Sequence, residues 1–600
     1  MLSAIREIGK WQKDKLGKDE LDVLVKEPNF KNGGKIVFVK LNIDEKRVEG
    51  VEIEDYDPAK ILKYLFRGGV SQGPNPTPIA NILNAKKGKN EEETKNNLKT
   101  QTKKTFGGKI QKWFDKHSIN TLLSNKDKDF LCDIRNTLSN NQDQIIQAIQ
   151  LCIADIPKKE GKLLTVKIKE GSEWKYIGDF EIFKKSLKDI ETEKVTGISA
   201  NDKNCSVCGI EKELVSGDAS VFKFYTIDKP GFITGGFSES LAWKNFPVCS
   251  ECKLELEEGR RFVEDNLTYR FYGLRYLLIP KLLLRDVDVE IMNVLLDPNK
   301  LISLKERVKK RITDNEEEIL DVLANEKEVL TLSFLFLSKE QSAERILLLI
   351  EDVFPSRIRR IFKAKDVADE ITGDSFTFGK IRDFFAKSDD NKKGYDLNKY
   401  FLEIIDKVFR GIAIEVSFLM RFFMAKIRKE FITDGYFNPN VKSAIMSLLF
   451  FENLGLITFK EVKDMEAGIF SSVFTRYGKS LATLEKRGIF LMGALTQLLL
   501  NKQWSDRNAK PFMKKLKGLK MDEKDIKALL PEIQSKLEEY DSFDKGKKQI
   551  ASEISKYLLE AGDGWKMSVD EINFYFACGM NLVENIASVV YPKETNKQEE

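Results

Sequence analysis

Two pairs of cysteines constrain the fold of this chain more than any other feature of its sequence. The pairs are Cys205 with Cys208 and Cys249 with Cys252, and 40 residues separate them. A Cys-x2-Cys turn lets two thiolates reach one ion, and four thiolates complete a tetrahedron. Because structural zinc is worth roughly 10–16 kcal/mol in finger peptides, such a site can hold an excursion that has little core of its own. The spacing therefore predicts that these four cysteines bind structural zinc.

Two other uses of the four cysteines stay open on the sequence. Four thiolates also hold iron–sulfur clusters, and a Cys-x2-Cys pair can act as a redox dithiol, although the presence of two pairs favours a metal. A closed four-thiolate site has no open coordination position, so we expect it to support structure and not catalysis. The other three cysteines have no partner motif, and we expect them to be buried apolar residues: Cys132, Cys152 and Cys578.

The segment DKPGFITGGF, residues 228–237, lies between the two pairs and contains three glycines and a proline. Such a composition favours turns over regular structure, so the metal would confine the flexibility to the tip of the loop. Lysines and phenylalanines in and around a zinc-held loop suit contact with nucleic acid. The alternative is a surface flap that is stabilised for its own sake.

Length and composition exclude several classes of protein. A chain of 600 residues is too long for one core and predicts several domains. Seven cysteines do not make a disulfide framework, the N-terminus does not resemble a signal peptide, and no apolar run could span a bilayer, so we expect a cytoplasmic protein without a membrane partner. The single histidine, His117, excludes catalysis by paired histidines or by a Ser-His-Asp triad. Catalysis by carboxylates stays open, but no motif marks it, and we expect no enzymatic activity.

Basic residues cluster although the net charge is only +5. Residues 86–116 hold 10 lysines against 4 acidic residues, and residues 502–520 hold 7 basic residues against 1 acidic residue. One such cluster is typical of a solvated face, whereas several in one chain favour a polyanionic partner. The residues that we expect to contact backbone phosphates are Lys103, Lys104, Lys109, Arg357, Arg359, Arg360, Lys510, Lys514 and Lys515.

Hydrophobic periodicity predicts an α+β fold. We expect a mixed N-terminal region with ferredoxin-like strand–helix units over residues 1–200, the zinc-binding excursion over 201–255, a second α+β segment over 256–390 and a helical bundle over 391–600. Alternation of apolar residues predicts a hairpin over residues 37–53, a second hairpin in LLTVKIKEG and EWKYIGDF, and strands in LTYRFYGLRYLLIPKLLL and EVLTLSFLFLS. We also expect a helix from Asp57 to a stop at Gly68, an exposed linker over 84–110, a helix in SAERILLLIEDVF and a helical period from about residue 395.

Several segments together resemble the large subunit of the subtype I-B CRISPR Cascade interference complex. They fall in the expected order and span most of the chain: MLSAIREIGKW, LFRGGVSQGPNPTP, CSVCG, DKPGFITGGF running on to FPVCSECKLELEEGRR, RYLLIPKL and IEDVFPSR. The resemblance implies a subunit without a nuclease site that contacts the 5′ end of the guide RNA and reads the protospacer-adjacent motif (PAM) of double-stranded target DNA. It also implies that the subunit helps to open the duplex and permits docking of a helicase-nuclease, alongside Cascade backbone and guide-end-capping subunits.

The resemblance further implies that the C-terminal helical part can be made separately, as the small subunit, by internal translation. The sequence KEVKDM, which ends at Met465, can be encoded by a ribosome-binding site followed by a start codon. The product would comprise residues 465–600.

Two loops are candidates for reading the motif. We assign the reading to the zinc-clamped loop and the contact with guide RNA or a neighbouring subunit to the loop GGVSQGPNPTP, while the reverse assignment stays open. The first set of residues is Thr226, Lys229, Gly231, Phe232, Gly235 and Gly236, and the second is Arg67, Ser71, Gln72 and Asn75. Competing hypotheses are a metal-dependent nucleic-acid enzyme with an unmarked carboxylate site, for which a GGDD-like motif is missing, and a zinc-dependent structural scaffold.

Overall fold

The structure is a computed structural model whose described residues form two compact units. Unit 1 comprises residues 1–266 and 341–344, and unit 2 comprises residues 267–340 and 345–600. The described residues are 1–17, 20–30, 33–68, 74–84, 89–119, 123–157, 159–193, 198–217, 221–222, 234, 236–282, 330–340, 343–388, 391–433, 437–459 and 468–592. Helices and strands are numbered along these residues.

Unit 1 mixes strands and helices throughout. Its helices are α1 (Leu2–Leu16), α2 (Glu20–Leu24), α3 (Ile61–Tyr64), α4 (Glu91–Thr105), α5 (Lys112–His117), α6 (Asn125–Asn140), α7 (Gln142–Ala154), α8 (Glu181–Glu193) and α9 (Ser250–Asn266). Its strands are β1 (Gly34–Asn42), β2 (Arg47–Asp55), β3 (Ala80–Asn81), β4 (Gly161–Glu170), β5 (Glu173–Tyr176), β6 (Ser199–Asn204) and β7 (Glu211–Ser216).

The main sheet of unit 1 has the strand order β2-β1-β4-β3, and β5 also pairs with β4. The central strands β1 and β4 run parallel, from Gly34 opposite Gly161 to Asn42 opposite Lys169, and both are almost entirely buried. Strands buried on both faces need a helical cover, which comes here from the helices between β2 and β4. The predicted hairpins β1-β2 and β4-β5 are confirmed.

The helix predicted from Asp57 to Gly68 begins as expected but ends early. The Asp57 carboxylate accepts a hydrogen bond from the Ala59 amide at 2.9 Å and so caps a short 3-10 turn that continues into α3. The helix ends when Leu65 adopts a left-handed conformation with φ of 51°. The Leu65 side chain is fully buried in the core, which fixes this conformation. Tertiary packing therefore ends the helix before Gly68.

The prediction of an exposed linker over residues 84–110 is wrong. Residues 91–105 form α4, which Asn90 caps by accepting a hydrogen bond from the Glu93 amide, and a π-helical turn (Phe106–Gln111) follows. The residues that face the core are Leu98, Thr102, Thr105, Phe106 and Ile110, and two of these five are threonines. Because so few apolar residues form this stripe and lysines surround them, the sequence of the segment shows no helical hydrophobic period.

Unit 2 combines a four-stranded sheet with a large set of helices. The strands are β8 (Thr268–Phe271), β9 (Leu274–Leu282), β10 (Leu330–Glu340) and β11 (Ala343–Val353), in the order β11-β10-β9-β8. The helices are α10 (Pro355–Thr372), α11 (Phe378–Arg382), α12 (Asn398–Arg410), α13 (Val416–Thr433), α14 (Phe437–Asn453), α15 (Ser471–Arg476), α16 (Leu484–Arg507), α17 (Glu523–Glu539), α18 (Lys545–Ala561), α19 (Val569–Asn581) and α20 (Val583–Val590).

The helix predicted in SAERILLLIEDVF is instead the edge strand β11. Its five consecutive apolar residues, 346–350, fit a buried helix or a strand equally well, because a short apolar run has no period. Pairing with β10 decides the outcome. The strands predicted in LTYRFYGLRYLLIPKLLL and EVLTLSFLFLS are confirmed as β8, β9 and β10.

From residue 398 onward, the described residues with regular structure are helical. Helix α16 lies at the centre of the last part of the chain, where it packs against α17, α18, α19 and α20. Its residues 488–496 are buried without exception, as a central helix requires. The α+β class with a helical C-terminal region is therefore confirmed. Among the described residues, no helix combines the length and the apolarity needed to cross a membrane.

Candidate metal centre

The first cysteine pair lies at the turn between β6 and β7. Cys205 directly follows β6, and Cys208 lies inside the turn. The Gly209 amide donates a hydrogen bond to the Cys205 carbonyl oxygen at 2.8 Å, and the Cys205 amide donates one to the Ile210 carbonyl at 3.0 Å. Gly209 has a φ of +72°, which favours glycine. This tight turn brings the two thiols of the pair together.

The second pair lies at the start of α9. Cys249 directly precedes the helix, Cys252 lies in its first turn, and the Lys253 amide donates a hydrogen bond to the Cys249 carbonyl at 3.0 Å. The amino end of a helix favours negative charge. The second pair is therefore placed where thiolates are stabilised.

Backbone hydrogen bonds join the two pairs across the intervening residues. The Ser206 amide donates to the Pro247 carbonyl at 2.8 Å, and Ser216 and Val248 form an antiparallel bridge with two hydrogen bonds of 2.9 Å. Residues 247–248 thus lie beside the β6-β7 hairpin. The second pair is positioned by the same backbone that carries the first.

The four cysteine sulfur atoms all lie within 4.8 Å of one another. Cys205, Cys249 and Cys252 are buried, and Cys208 is half-buried. A tetrahedron with metal–sulfur bonds of about 2.3 Å has sulfur–sulfur edges of about 3.8 Å, so a small contraction would close the site around one ion. The structure thus confirms that the four predicted residues cluster, and they could hold a metal.

Hydrogen bonds and burial shift the pKa values of the cluster cysteines in opposite directions. The Cys205 sulfur accepts hydrogen bonds from the Val207 and Cys249 amides, each at 3.4 Å. A hydrogen bond with the Cys252 thiol lowers the pKa of Cys249 to about 5, while that shared proton and burial raise the pKa of Cys252. Burial also raises the pKa of Cys205. Thiolates in such surroundings need a positive charge among them, which a metal ion supplies.

Two cations beside the cluster could not be identified from the sequence. Arg6 on α1 donates a hydrogen bond to Glu255 at 2.6 Å. Burial lowers the pKa of this guanidinium, but the hydrogen bond to Glu255 and the charges of Glu255, Cys252 and Cys208 outweigh that effect and raise it. Lys212 on β7 pairs with Glu251 at 3.4 Å, and the hydrogen bond to Glu251 and the nearby Cys249 raise its pKa. Four thiolates around a divalent ion carry two net negative charges, and these two cations lie beside that charge while each also pairs with a glutamate. No sequence pattern joins residue 6 to residue 252.

Helix α1 reaches the metal centre because it crosses α9 at very short range. A Cβ atom at Gly9 would lie 1.8 Å from the Glu255 carbonyl oxygen, and one at Gly259 would lie 1.9 Å from the Ile5 carbonyl oxygen. The two backbones therefore touch at a pair of glycines. This contact sets Arg6 beside Cys252 of α9.

Most of the predicted motif-reading loop lies outside the described residues. Thr226, Lys229, Gly231, Phe232 and Gly235 belong to that part. Gly236 is exposed, with a φ of +62°.

The described residues of the second candidate loop turn inward. Arg67 donates hydrogen bonds to the Leu24 carbonyl at 3.0 Å and to Glu257 at 3.3 Å, and its side chain is 8% exposed. Asn75 is buried and donates a hydrogen bond to the Ile79 carbonyl at 2.7 Å. Both side chains hold the ends of the loop, while Ser71 and Gln72 between them lie outside the described residues.

The predicted phosphate contacts differ in exposure within each unit. In unit 1, Lys103 and Lys104 are exposed near the end of α4, whereas Lys109 is half-buried and burial lowers its pKa. In unit 2, Arg357 donates a hydrogen bond to the Val408 carbonyl at 2.9 Å and so caps α12. Its neighbours Arg359 and Arg360 are exposed.

The last basic cluster lies on a firmly anchored loop after α16. Three side chains hold its backbone by hydrogen bonds. Gln503 accepts one from the Phe512 amide, and Asn573 exchanges two with the Met521 backbone. Arg428 donates one to the Leu519 carbonyl. The apolar side chains of the loop point into the core, while Lys514 and Lys515 are exposed and Lys510 is half-buried over the Trp504 ring. The lysines are thus presented by a fixed backbone.

Comparison with protein families gives one consistent result over nearly the whole chain. Three family models match, all of them for the CRISPR-associated protein TM1802: the N-terminal domain over residues 1–189, the central domain over residues 202–353 and the C-terminal domain over residues 376–594. The central match contains all four cysteines. No curated protein matches the chain.

Proposed function

Because the chain belongs to the TM1802 family of CRISPR-associated proteins, we propose that it is the non-catalytic large subunit of a guide-RNA-bearing surveillance complex. In this role it binds the 5′ end of the guide RNA, recognises the PAM in duplex DNA, promotes strand opening and recruits a helicase-nuclease in the cytoplasm. The observation that carries the proposal is the match of three domain models in chain order, from residue 1 to residue 594. It agrees with the resemblance to the Cascade large subunit seen in the short segments.

The metal of the proposed centre is zinc, in a structural role. Four thiolates without an open coordination position suit structural zinc, and the flanking Arg6 and Lys212 place positive charge near the negative Zn²⁺–tetrathiolate site. Metal analysis of purified protein by mass spectrometry is expected to find one zinc per chain and no iron. Iron with a visible absorption band would instead assign the site to an iron–sulfur cluster.

The zinc-clamped loop is the proposed reader of the PAM. The clamp fixes both ends of the loop, so that Thr226 and Lys229 near its tip could enter a groove of the DNA. Base contacts carry sequence information, whereas phosphate contacts only position the protein. A reader must therefore distinguish matched DNA from motif-mutant DNA.

The test substitutes Thr226→Ala and Lys229→Ala together in the assembled complex and measures its affinity for both DNAs. We expect the preference for the matched motif to disappear while residual binding to the mutant DNA is retained. Lys203→Ala, on the exposed part of β6, is the control and should keep the preference. Equal loss of affinity on both DNAs would reduce the loop to a phosphate contact.

The second loop, GGVSQGPNPTP, is the proposed contact for guide RNA or a neighbouring subunit. Since Arg67 and Asn75 are bonded within the chain, the contact would come from Ser71 and Gln72, with the other two holding the loop ends. Ser71→Ala with Gln72→Ala should weaken guide binding without lowering the melting temperature. Arg67→Ala should lower both, because it also breaks a buried ion pair.

The proposal includes a second product that begins at Met465. Helices α15 to α20 follow that position, and α16 packs against the last four of them, so this part has a core of its own. Changing the Met465 codon is expected to remove a short C-terminal species from expressing cells and to leave the full chain. Persistence of the short species would show that it arises by proteolysis.

The proposal assigns no catalysis to this chain. His117 is buried and stacks on Trp113 with ring centroids 4.3 Å apart, so the one histidine of the sequence is a core residue. Purified chain with Mg²⁺ or Mn²⁺ should leave single- and double-stranded DNA uncut. Metal-dependent cleavage that copurifies with the chain would contradict the assignment.

A further inference from the structure

A large groove lies in unit 2, and its lining contains none of the site residues predicted from the sequence. It is bordered by the 3-10 turn Asp383–Phe385 after α11, the segment leading to α12, and helices α12 and α13. Its volume is about 820 Å³, within the range of roughly 300–1,000 Å³ in which ligand sites fall.

Helix α13 lines the groove with two adjacent stripes of side chains. Phe418, Phe422 and Lys426 follow one another at intervals of four residues, and Arg421, Ala425 and Lys429 do the same beside them. The opposite face of α13 carries the core contacts, through Leu419, Met420, Phe423, Met424, Ile427 and Phe431. The aromatic stripe therefore lies outside the fully buried core face.

Aromatic rings form the floor of the groove. Phe422 lies 5.1 Å from both Tyr400 and Phe418 between ring centroids, and all three rings are half-buried. The fully buried Phe385 supports them from below, 4.7 Å from Phe422 and 6.0 Å from Phe418. The rings are held in place by packing and keep part of their surface open.

Cations predominate along the rim. Lys387, Arg421 and Lys429 are exposed, and Lys426 donates a hydrogen bond to the Asp383 carbonyl at 3.1 Å. Two acidic side chains, of Asp383 and Glu430, also line the groove, which leaves an excess of two positive charges. Arg421 and Lys429 are two helical turns apart, a rise of about 12 Å.

Hydrogen bonds of Asp396 hold the segment between α11 and α12, which forms one wall of the groove. The Asp396 carboxylate accepts hydrogen bonds from the Ser388 amide at 2.9 Å and from Lys392 at 2.7 Å, and these bonds depress its pKa. Tyr395, which directly precedes Asp396 in the same segment, is 52% exposed, and the Arg382 guanidinium lies 4.7 Å from its ring centroid. The wall thus presents a further aromatic ring next to a cation.

We propose that this groove binds a short stretch of single-stranded nucleic acid. Bases stack on Tyr400, Phe418 and Phe422, and Arg421 and Lys429 take the flanking phosphates. Open aromatic faces beside cations are what sequence-independent binding of single strands requires. The inference rests on the proposed role in nucleic-acid binding, and it adds a site and a strand state to that role.

An acidic protein segment is the alternative occupant, and the aromatic floor argues against it. Carboxylate side chains would use the rim cations but leave the rings of Tyr400 and Phe422 without a planar partner. A base with its phosphate uses both stripes of α13 at once. Charge and ring surface together therefore favour the nucleotide.

The test measures the affinity of the full-length chain for labelled oligo-dT and for a duplex of equal length. Phe422→Leu keeps an apolar side chain over Phe385 but removes the stacking face, and it is expected to weaken oligo-dT binding roughly tenfold while duplex binding is unchanged. Arg421→Gln with Lys429→Gln should lower the slope of log affinity against log salt by about 1.4 on the single strand.

Matched controls lie on another part of unit 2. Phe543 is half-buried with Lys548 5.7 Å from its ring centroid, and Lys545 and Lys548 are exposed. Phe543→Leu, and Lys545→Gln with Lys548→Gln, repeat the same chemical changes outside the groove. Both controls should bind oligo-dT as the parent does.

Crosslinking gives a second readout that does not depend on affinity. An oligonucleotide carrying 5-iododeoxyuridine should crosslink to Tyr400 or Phe422, as located by mass spectrometry. Groove variants that bind oligo-dT like their controls, with no crosslink in the groove, would overturn the inference while leaving duplex binding and the proposed function intact. If Phe422→Leu lowers the affinity for polyglutamate but not the affinity for oligo-dT, the groove binds an acidic protein segment instead. Failure of the parent chain to bind oligo-dT would overturn the inference, whereas the PAM test in the assembled complex decides the proposed function separately.

Discussion

The crossing of α1 and α9 allows a stability change to be worked out from the structure. In Gly259→Ala, the new Cβ atom would begin 1.9 Å from the Ile5 carbonyl oxygen, whereas real Cβ contacts essentially never fall under 3.0 Å. The obstacle is backbone and cannot rotate away, so the helices must separate by roughly 1 Å. A gap of about 0.5–1 Å forfeits a quarter to a half of each van der Waals contact across it.

The contacts at risk are buried ones. Ile5 and Ile8 of α1 and Val263 of α9 are fully buried, and Trp11 meets Phe262 edge to face at 5.6 Å. Overpacking of a core costs about 1–3 kcal/mol, and we expect the upper end here. For a unit of this size that corresponds to a melting temperature lower by about 5–10 °C.

The assay is thermal unfolding of the metal-loaded chain, with metal release to a chelator followed in parallel. Because Arg6 moves with α1, Gly259→Ala should also release the metal faster. Gly108→Ala is the control: Gly108 lies in a helical turn with no atom within 4 Å of a new Cβ, so it should unfold at the parent temperature or slightly above.

A double variant makes the reasoning sharper. Gly9→Ala opens the same gap from the other side, since its Cβ would lie 1.8 Å from the Glu255 carbonyl oxygen. The combined loss in Gly9→Ala with Gly259→Ala should therefore fall clearly short of the sum of the single losses. Full additivity, or a Gly259→Ala chain as stable as Gly108→Ala, would refute the close crossing.

Three further predictions concern single side chains. Cys249→Ser should abolish metal binding and raise hydrogen exchange over residues 199–216 and 247–266, whereas Cys132→Ser, which removes a thiol outside the cluster, should retain the metal. Burial lowers the pKa of His117 from 6.5 to about 4. As the pH falls, the unfolded chain therefore binds the proton before the folded chain does. The free energy of unfolding should be constant above pH 6.5 and fall by about 3 kcal/mol as the pH drops to about 4. Urea titrations at several pH values should show a weaker dependence in His117→Phe, and an equal dependence would contradict the buried neutral state. Asn573→Ala removes hydrogen bonds of 3.1 and 2.8 Å to the Met521 backbone inside the core, with an expected loss of about 1–3 kcal/mol; an unchanged midpoint in urea would show that the basic loop is held by other contacts.

Features that depend only on residues close together in the chain could be predicted from the sequence. The Cys-x2-Cys spacing identified the four cysteines that the structure brings within 4.8 Å, because a turn of four residues fixes where its two thiols point. Alternation identified the hairpins β1-β2 and β4-β5, and the change to a helical period near residue 395 identified the helical region. Each of these follows from the geometry of a few consecutive residues.

Errors arose where a distant partner decides between local alternatives. The apolar run in β11 fits a helix as well as a strand until β10 pairs with it. The lysine-rich segment became α4 because one thin stripe of side chains met the core of unit 1. Leu65 stopped α3 ahead of Gly68 for the same kind of reason.

The order of residues alone was enough to identify the cysteines that can bind the metal, the point where the chain changes from mixed to helical structure, and the family. Only the tertiary structure placed Arg6 and Lys212 beside the cysteines, turned Arg67 and Asn75 inward, and set aromatic rings and cations of α12 and α13 around one groove. The physical reason is that local backbone geometry is fixed within a few residues, whereas charge compensation, burial and cavities arise between residues that only folding brings together.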